Sequence, residues 1–183
     1  HFEGELANAV AKSGMGDLHV DRVATLTART GFGDVIADII TGDANVKTGT
    51  GSVRLGTVEG TTAIKKANGI VSVERCAHAE HIGTASGHIA VGRAQSSLTA
   101  GSAAGDIRIA EVSTGSVSAR TGAGAIEIGI REGASAWLDV ASKFGSVRNG
   151  LTTATAPEPS NSTVEVRAQT GAGDIVIHRA QAA

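Results

Sequence analysis

The chain has 183 residues, with 25 Gly, 2 Pro, 3 Phe, 1 Trp, no Tyr, 41% hydrophobic residues and a formal net charge of −2. So much Gly excludes an ordinary helical domain, because each interior Gly costs a helix about 1 kcal/mol, while the hydrophobic share excludes a disordered linker and the scarcity of Pro excludes collagen. One cysteine (Cys76) forms no internal disulfide framework, no run of about 20 apolar residues offers a membrane-spanning helix, and the charge balance exerts no global pull towards nucleic acid or an anionic membrane.

The chain opens on His1-Phe2-Glu3-Gly4-Glu5, which is neither a starting Met nor a signal peptide. Ala9, Ala11, Ser13 and Gly14 fit the upstream half of a repeat unit, so Phe2 and Leu6 are expected in a coil whose beginning is missing. Nine units then follow, each a Gly followed by alternating aliphatics. They start at Gly16, Gly33, Gly51, Gly69, Gly87, Gly105, Gly124, Gly145 and Gly173, at intervals of 17, 18, 18, 18, 18, 19, 21 and 28 residues.

Two residues after each Gly stand Leu18, Val35, Val53, Val71, Ile89, Ile107, Ile126, Val147 and Ile175. Four after it the column is aliphatic except at Asn149, and the residue between varies freely. This period of two marks a half-buried strand. A second strand precedes each Gly. Its inward columns lie seven, five and three residues upstream, with Glu80 interrupting the first and Lys66 the third. The third is otherwise Thr or Ser, placed inward at a corner where its hydroxyl can bond turn backbone. The Thr-Gly-x-Gly motif at Thr30, Thr48, Thr121 and Thr170 then turns the corner, Gly supplying a positive φ.

Such a unit cannot close a core alone, but stacked units can. The expected fold is an all-β, single-stranded parallel β-solenoid (a β-helix) with about 18 residues per coil and eight to nine coils. A right-handed path is favoured because parallel crossovers almost always take it. One domain spans 1–183, with a loop insertion at about 149–163 that holds both prolines, Pro157 and Pro159.

Three groups of residues could carry chemistry. Cys76, His78, Glu80, His81 and His88 suggest a metal cluster, but the spacing matches no zinc pattern; Cys76 falls in a core column, His78 in a turn, and His81 faces outward. Asp17, Asp34, Asp106 and Asp174 follow corner glycines as in a calcium-binding β-roll, yet Ser52, Ile70, His88, Ala125 and Ser146 interrupt the column, and an Asp there serves its own turn. Lys12, Arg29, Lys47 and Lys65 stand four residues before successive corners and form a basic ladder, a candidate site for a polyanion or polysaccharide. No aromatics interleave for base stacking, so nucleic acid is disfavoured. No outward column with two acidic residues in adjacent coils is found, so paired carboxylates for glycoside hydrolysis are not expected. No catalytic residues, cofactor or metal are expected.

Gly105 to Glu111, Ala94 to Gly105 before it, Ser142-Lys143-Phe144-Gly145-Ser146-Val147 and Thr170-Gly171-Ala172-Gly173-Asp174-Ile175 resemble a β-strand-repeat family of unknown function described as adhesin-like, with its actinobacterial, signal-less branch most similar. The resemblance covers essentially the whole chain. It implies a β-helix without catalytic residues, and a cytoplasmic location, with the cell surface or secretion as the alternative. The function expected is a non-enzymatic scaffold or protein-interaction module, joined to a partner or to itself through the coil ends or the loop around Pro157 and Pro159. A polyanion- or polysaccharide-binding module is the alternative, and a carbohydrate-active β-helix enzyme the second.

Overall fold

The structure is a computed structural model that describes residues 2–151 and 163–180, with the side chains of 2–6 and 80 outside the description. The predicted loop insertion therefore lies mostly outside the described residues. The elements are β1 (Phe2–Met15), β2 (Leu18–Phe32), β3 (Val35–Ile40), β4 (Ala44–Thr50), β5 (Val53–Asn68), β6 (Val71–Ser86), β7 (Ile89–Ala94), β8 (Leu98–Ala104), β9 (Ile107–Val112), β10 (Gly115–Ala123), β11 (Ile126–Ile130), β12 (Ser135–Phe144), β13 (Val147–Asn149), β14 (Thr163–Ala172) and β15 (Ile175–Arg179). All 15 belong to one sheet, paired in parallel and wound into a β-solenoid.

The wound sheet has two faces. Face A holds the strand segment after each corner Gly, in the order β1-β2-β3-β5-β6-β7-β9-β11-β15-β13. Face B holds the segment before it: the later parts of β1, β2, β5 and β6, together with β4, β8, β10, β14 and β12. Long strands such as β5 wrap both faces without a break. The inward columns are those of the sequence pattern: Val35, Val53, Val71, Ile89, Ile107, Ile126 and Ile175 stack in a line, each almost completely buried. Each such side chain contributes about 1.5–3 kcal/mol by leaving water. The thin interior suits Val, Ile and Ala, which is why Phe32, Trp137 and Phe144 lie outside it, 56–77% exposed.

Two details depart from the sequence pattern. Glu80 does not interrupt its column. A bulge pairs Thr62 with Ala79 and Ala63 with His81, so Ala79, 2% exposed, takes the inward place. An inserted residue shifts the alternation by one. His78, expected in a turn, is part of β6.

The larger departure is topological. Units in a simple solenoid stack in chain order, but here the last unit in sequence is not the last in space. β14 pairs with β10 on one side and β12 on the other, and β15 lies between β11 and β13. The chain therefore skips one rung after β11, builds the outermost rung from β12 and β13, then returns to fill the gap with β14 and β15. The skip is tied down from the inserted rung. The Arg179 guanidinium donates to the carbonyls of Arg131 (3.2 Å) and Ala134 (2.8 Å), and the Ala180 N–H donates to Ile130 O (2.8 Å).

Every one of the nine corner glycines has a positive φ, between +121° and +152°. At Gly105 (φ +143°) an added Cβ would collide with the backbone carbonyl of Gly87 on the neighbouring rung. At Gly101, in the middle of β8, a Cβ would meet nothing within 4 Å. Gly105→Ala should therefore cost about 3 kcal/mol or more in chemical denaturation. Gly101→Ala should be neutral or stabilising by about 0.5–1 kcal/mol.

Candidate functional site

At each corner the backbone ladder loses two bonds. In the 105 rung, the N–H of Gly105 still reaches Ala123 O (2.8 Å) and that of Ile107 reaches Ala125 O (2.9 Å). The carbonyl of the corner Gly and the N–H of the residue after it are left over, and buried or not they need partners. Side chains supply them. The hydroxyls of Thr121, Thr170 and Ser142 donate to the carbonyls of Gly105 (2.9 Å), Gly124 (3.0 Å) and Gly173 (2.9 Å), each on the next rung. The carboxylates of Asp17, Asp34, Asp106 and Asp174 accept the N–H of Asp34 (2.8 Å), Ser52 (2.6 Å), Ala125 (2.8 Å) and Ser146 (2.8 Å). The Asp column therefore staples neighbouring rungs together rather than closing its own turn. At His88 an imidazole does the same, Nδ1 accepting the Asp106 N–H at 3.2 Å.

Lys66 occupies a Thr position of this corner. It is 7% exposed, and its ammonium donates to Gly51 O and to Ile70 O (3.1 Å). Burial lowers its pKa, and the Asp34 carboxylate partly restores it. One rung away, the Thr48 hydroxyl has no hydrogen-bond partner.

The suspected metal cluster is pulled apart. Cys76 points into the core, 1% exposed, and burial pushes its thiol up to about 11. His78, His81 and His88 are exposed. One group that the sequence reading missed does form. His19, Asp21 and Asp38 bring their ligand atoms within 4.8 Å of one another on face A. Asp21 and Asp38 lie on adjacent rungs, between the pairs Val20–Ala37 and Arg22–Ile39. This corrects the expectation that no outward column holds two acids in adjacent coils. Both stand five residues after their Gly, just beyond the columns at two and four. His19 Nε2 lies 3.3 Å from Asp21 Oδ1, so the group is built around a surface imidazole–carboxylate contact.

Several other face A charges are paired, although Arg54, between Ile36 and Ser72, and Arg75, between Thr57 and Arg93, have no carboxylate beside them in register. Arg93 meets Glu111 at 3.0 Å, and Glu127 receives both Arg108 (3.4 Å) and His178 (3.1 Å). A groove bordered by Arg93, Glu111, Arg131 and Glu132 beside Ala180 holds equal numbers of opposite charges.

The basic ladder is assembled as expected. Lys12 pairs in register with Arg29, Arg29 with Lys47, and Lys47 with Lys65. All four are exposed and border one open groove with Gly14, Gly31 and Gly49. Beyond Lys65 the column continues as Gly83 and Gly101 before Arg120. The His81 ring lies over Gly83, where an added Cβ would come within 2.7 Å of Nε2, and it shares a second shallow groove with Lys47 and Lys65.

Wound parallel strands, stacked columns and stapled corners define a β-solenoid repeat protein. The chain belongs to the Toastrack family, DUF4097, whose profile it matches over residues 5–181. No curated protein and no solved structure matches it.

The corner staples give two tests. Asp174 is held below the ordinary carboxylate range by the backbone N–H of Ser146 and then its hydroxyl, with Arg148 adding attraction. A carboxyl lowered on folding stabilises the fold above its unfolded pKa of about 3.9 and loses that contribution as pH falls through the folded value. Asp174→Ala should lower the denaturation midpoint at pH 7, and the gap from wild type should narrow below about pH 4. Asp174→Asn keeps an acceptor oxygen and should stay nearer wild type at pH 7. Lys66 has the opposite chemistry, an ammonium whose charge burial disfavours. Lys66→Thr, which restores the hydroxyl of the column, should stabilise by about 1 kcal/mol at neutral pH. That gain should shrink as pH rises towards the unfolded lysine pKa of about 10.4.

Proposed function

We propose that the chain is a non-enzymatic interaction scaffold, with adhesion, in the sense of holding a partner or another copy, as its role. The observation that supports this most is how the polar side chains are used. Corner hydroxyls such as that of Thr121 and carboxylates such as that of Asp174 are occupied in joining rungs, and on face A Arg93 with Glu111 and Arg108 with Glu127 are matched in surface pairs. A hydrolytic site needs a free acid and base converging on one cleft. Asp21 and Asp38 are the nearest approach to such a pair, and Asp21 is engaged by His19.

The contact point in this reading is the outermost rung, and the occupant is a second copy of this chain. Among the described residues β12 pairs only with β14, so one whole edge of it is open. Trp137, Phe144 and Val147 are exposed on this rung, and Leu138 and Val140 are only partly covered. Unpaired strand edges recruit further strands. Apart from local bulges the rungs share one parallel register, so a rung of another copy presents a complementary edge.

Light scattering on size-separated protein should show association that grows with concentration. Trp137→Lys with Phe144→Lys should return it to monomer without loss of the β spectrum. A protein that is monomeric throughout, or association indifferent to both substitutions, refutes self-association through β12. Glycan cleavage that disappears in Asp21→Asn or Asp38→Asn would refute the non-enzymatic reading itself.

A further inference from the structure

We propose that the ladder of Lys12, Arg29, Lys47 and Lys65 on face B is a binding site for a linear acidic polysaccharide, lying along the solenoid axis. This rests on the scaffold reading and gives it a ligand.

The first ground is register. The four cations occupy the same column of four adjacent rungs, so their Cα atoms are about 4.8 Å apart and the row spans about 14 Å. Like charges directly opposite one another destabilise a sheet. Three such contacts in succession oppose folding, and no acidic side chain among the described residues pairs with any of the four.

The second ground is the absence of acids beside the row. On face A, Arg93, Arg108 and His178 have a carboxylate within 3.4 Å, and the unpaired Arg54 stands between Ile36 and Ser72 and so belongs to no continuous basic row. On face B, the columns flanking the ladder carry Thr27, Asn45 and Ala63 on one side and Gly31, Gly49 and Ala67 on the other. Neither contains an acid over these rungs. An unneutralised row with nothing beside it is suited to an anion from outside.

The third ground is shape. The glycine column has no side chains, so the basic row stands along an open groove. The groove runs across the rungs, parallel to the axis, and therefore fits an extended chain with charges at regular intervals. Over the four ladder rungs these flanking columns hold no aromatic ring, and the His81 imidazole follows Ala63 only at the end of the row, so successive bases have no stacking platform, which sets a polysaccharide ahead of single-stranded nucleic acid. The site is one row wide, which sets a linear polymer ahead of a lipid surface.

The test uses the whole chain with polygalacturonate (carboxylate) and heparin (sulfate) as probes, and a single-stranded oligonucleotide and phosphatidylserine vesicles as competitors, by titration calorimetry and co-sedimentation. Binding to at least one polysaccharide should weaken steeply with salt. Arg29→Glu with Lys47→Glu should weaken it about tenfold or more. Arg54→Glu with Arg75→Glu, the same charge change on face A, should leave it nearly unchanged. Thermal unfolding of the ladder variant should not fall below wild type, since two of its three repulsive contacts become attractive, and the face A variant should stay near wild type because Arg54 and Arg75 are exposed. No binding to either polysaccharide, binding unaffected by the ladder reversal, or tighter binding to the oligonucleotide or the vesicles overturns the proposal. Association through β12 uses none of these residues, so it can persist when polysaccharide binding fails, and the two readings fall separately.

Discussion

The contact on which the whole rod depends is the approach of one corner glycine to the next. At Gly33, Gly51, Gly87, Gly105, Gly124, Gly145 and Gly173, an added Cβ would strike the carbonyl of the corner Gly on the adjoining rung. The positive φ at the same residue turns the strand from face B to face A. A side chain is therefore excluded twice, by torsion and by space. The turn also rotates a carbonyl and an N–H out of the ladder, and Thr or Ser before the Gly and Asp after it recover them. The recurrent Thr-Gly-x-Gly-Asp pattern is thus one hydrogen-bonding unit shared between rungs, with Gly at the point of closest approach.

That unit made the fold readable in the sequence. Nine glycines at near-constant spacing, with uniform columns on both sides, leave few alternatives to a parallel solenoid, and the observed register keeps those columns almost throughout. What escaped was the stacking order at the end. Periodicity records which residues share a rung position, but not which rung neighbours which. The columns nevertheless hold a clue. Val164, Val166, Ala168, Ile175 and Ile177 satisfy every inward position and are buried, as a rung covered on both sides must be. The preceding unit carries Asn149 in an aliphatic column and Trp137 and Phe144 on its surface. Its irregularity fits the outermost place, where only one side is packed.

The candidate sites were legible to different degrees for a related reason. The basic ladder occupies one column relative to the corner, so counting back from Gly located all four residues and its interruption at Gly83 and Gly101. The Asp column was equally visible, but its partner was misplaced. Its hydrogen bond crosses to the next rung, and a reading confined to one unit assigns it to the local turn. Asp21 with Asp38 was missed because the strand was followed only at selected columns. Glu80 was misplaced by a bulge, which leaves little trace in a single sequence.

A β-solenoid converts a column into a row of fixed pitch, and this bears on why the two faces differ. Along the later rungs of face A some outward columns mix signs, so that Arg93 with Glu111 and Arg108 with Glu127 neutralise each other. Along the first part of face B one column holds a single sign and its neighbours hold none. The same backbone geometry then has the opposite effect, keeping the charges apart from any internal partner while maintaining their spacing. The stapled corners prevent this strip from relaxing, because relief of the repulsion would require rungs to separate against bonds such as Asp34 to Ser52 and Asp17 to Asp34. The corner chemistry that closes the fold therefore also fixes the spacing of the backbone positions that carry the unneutralised row.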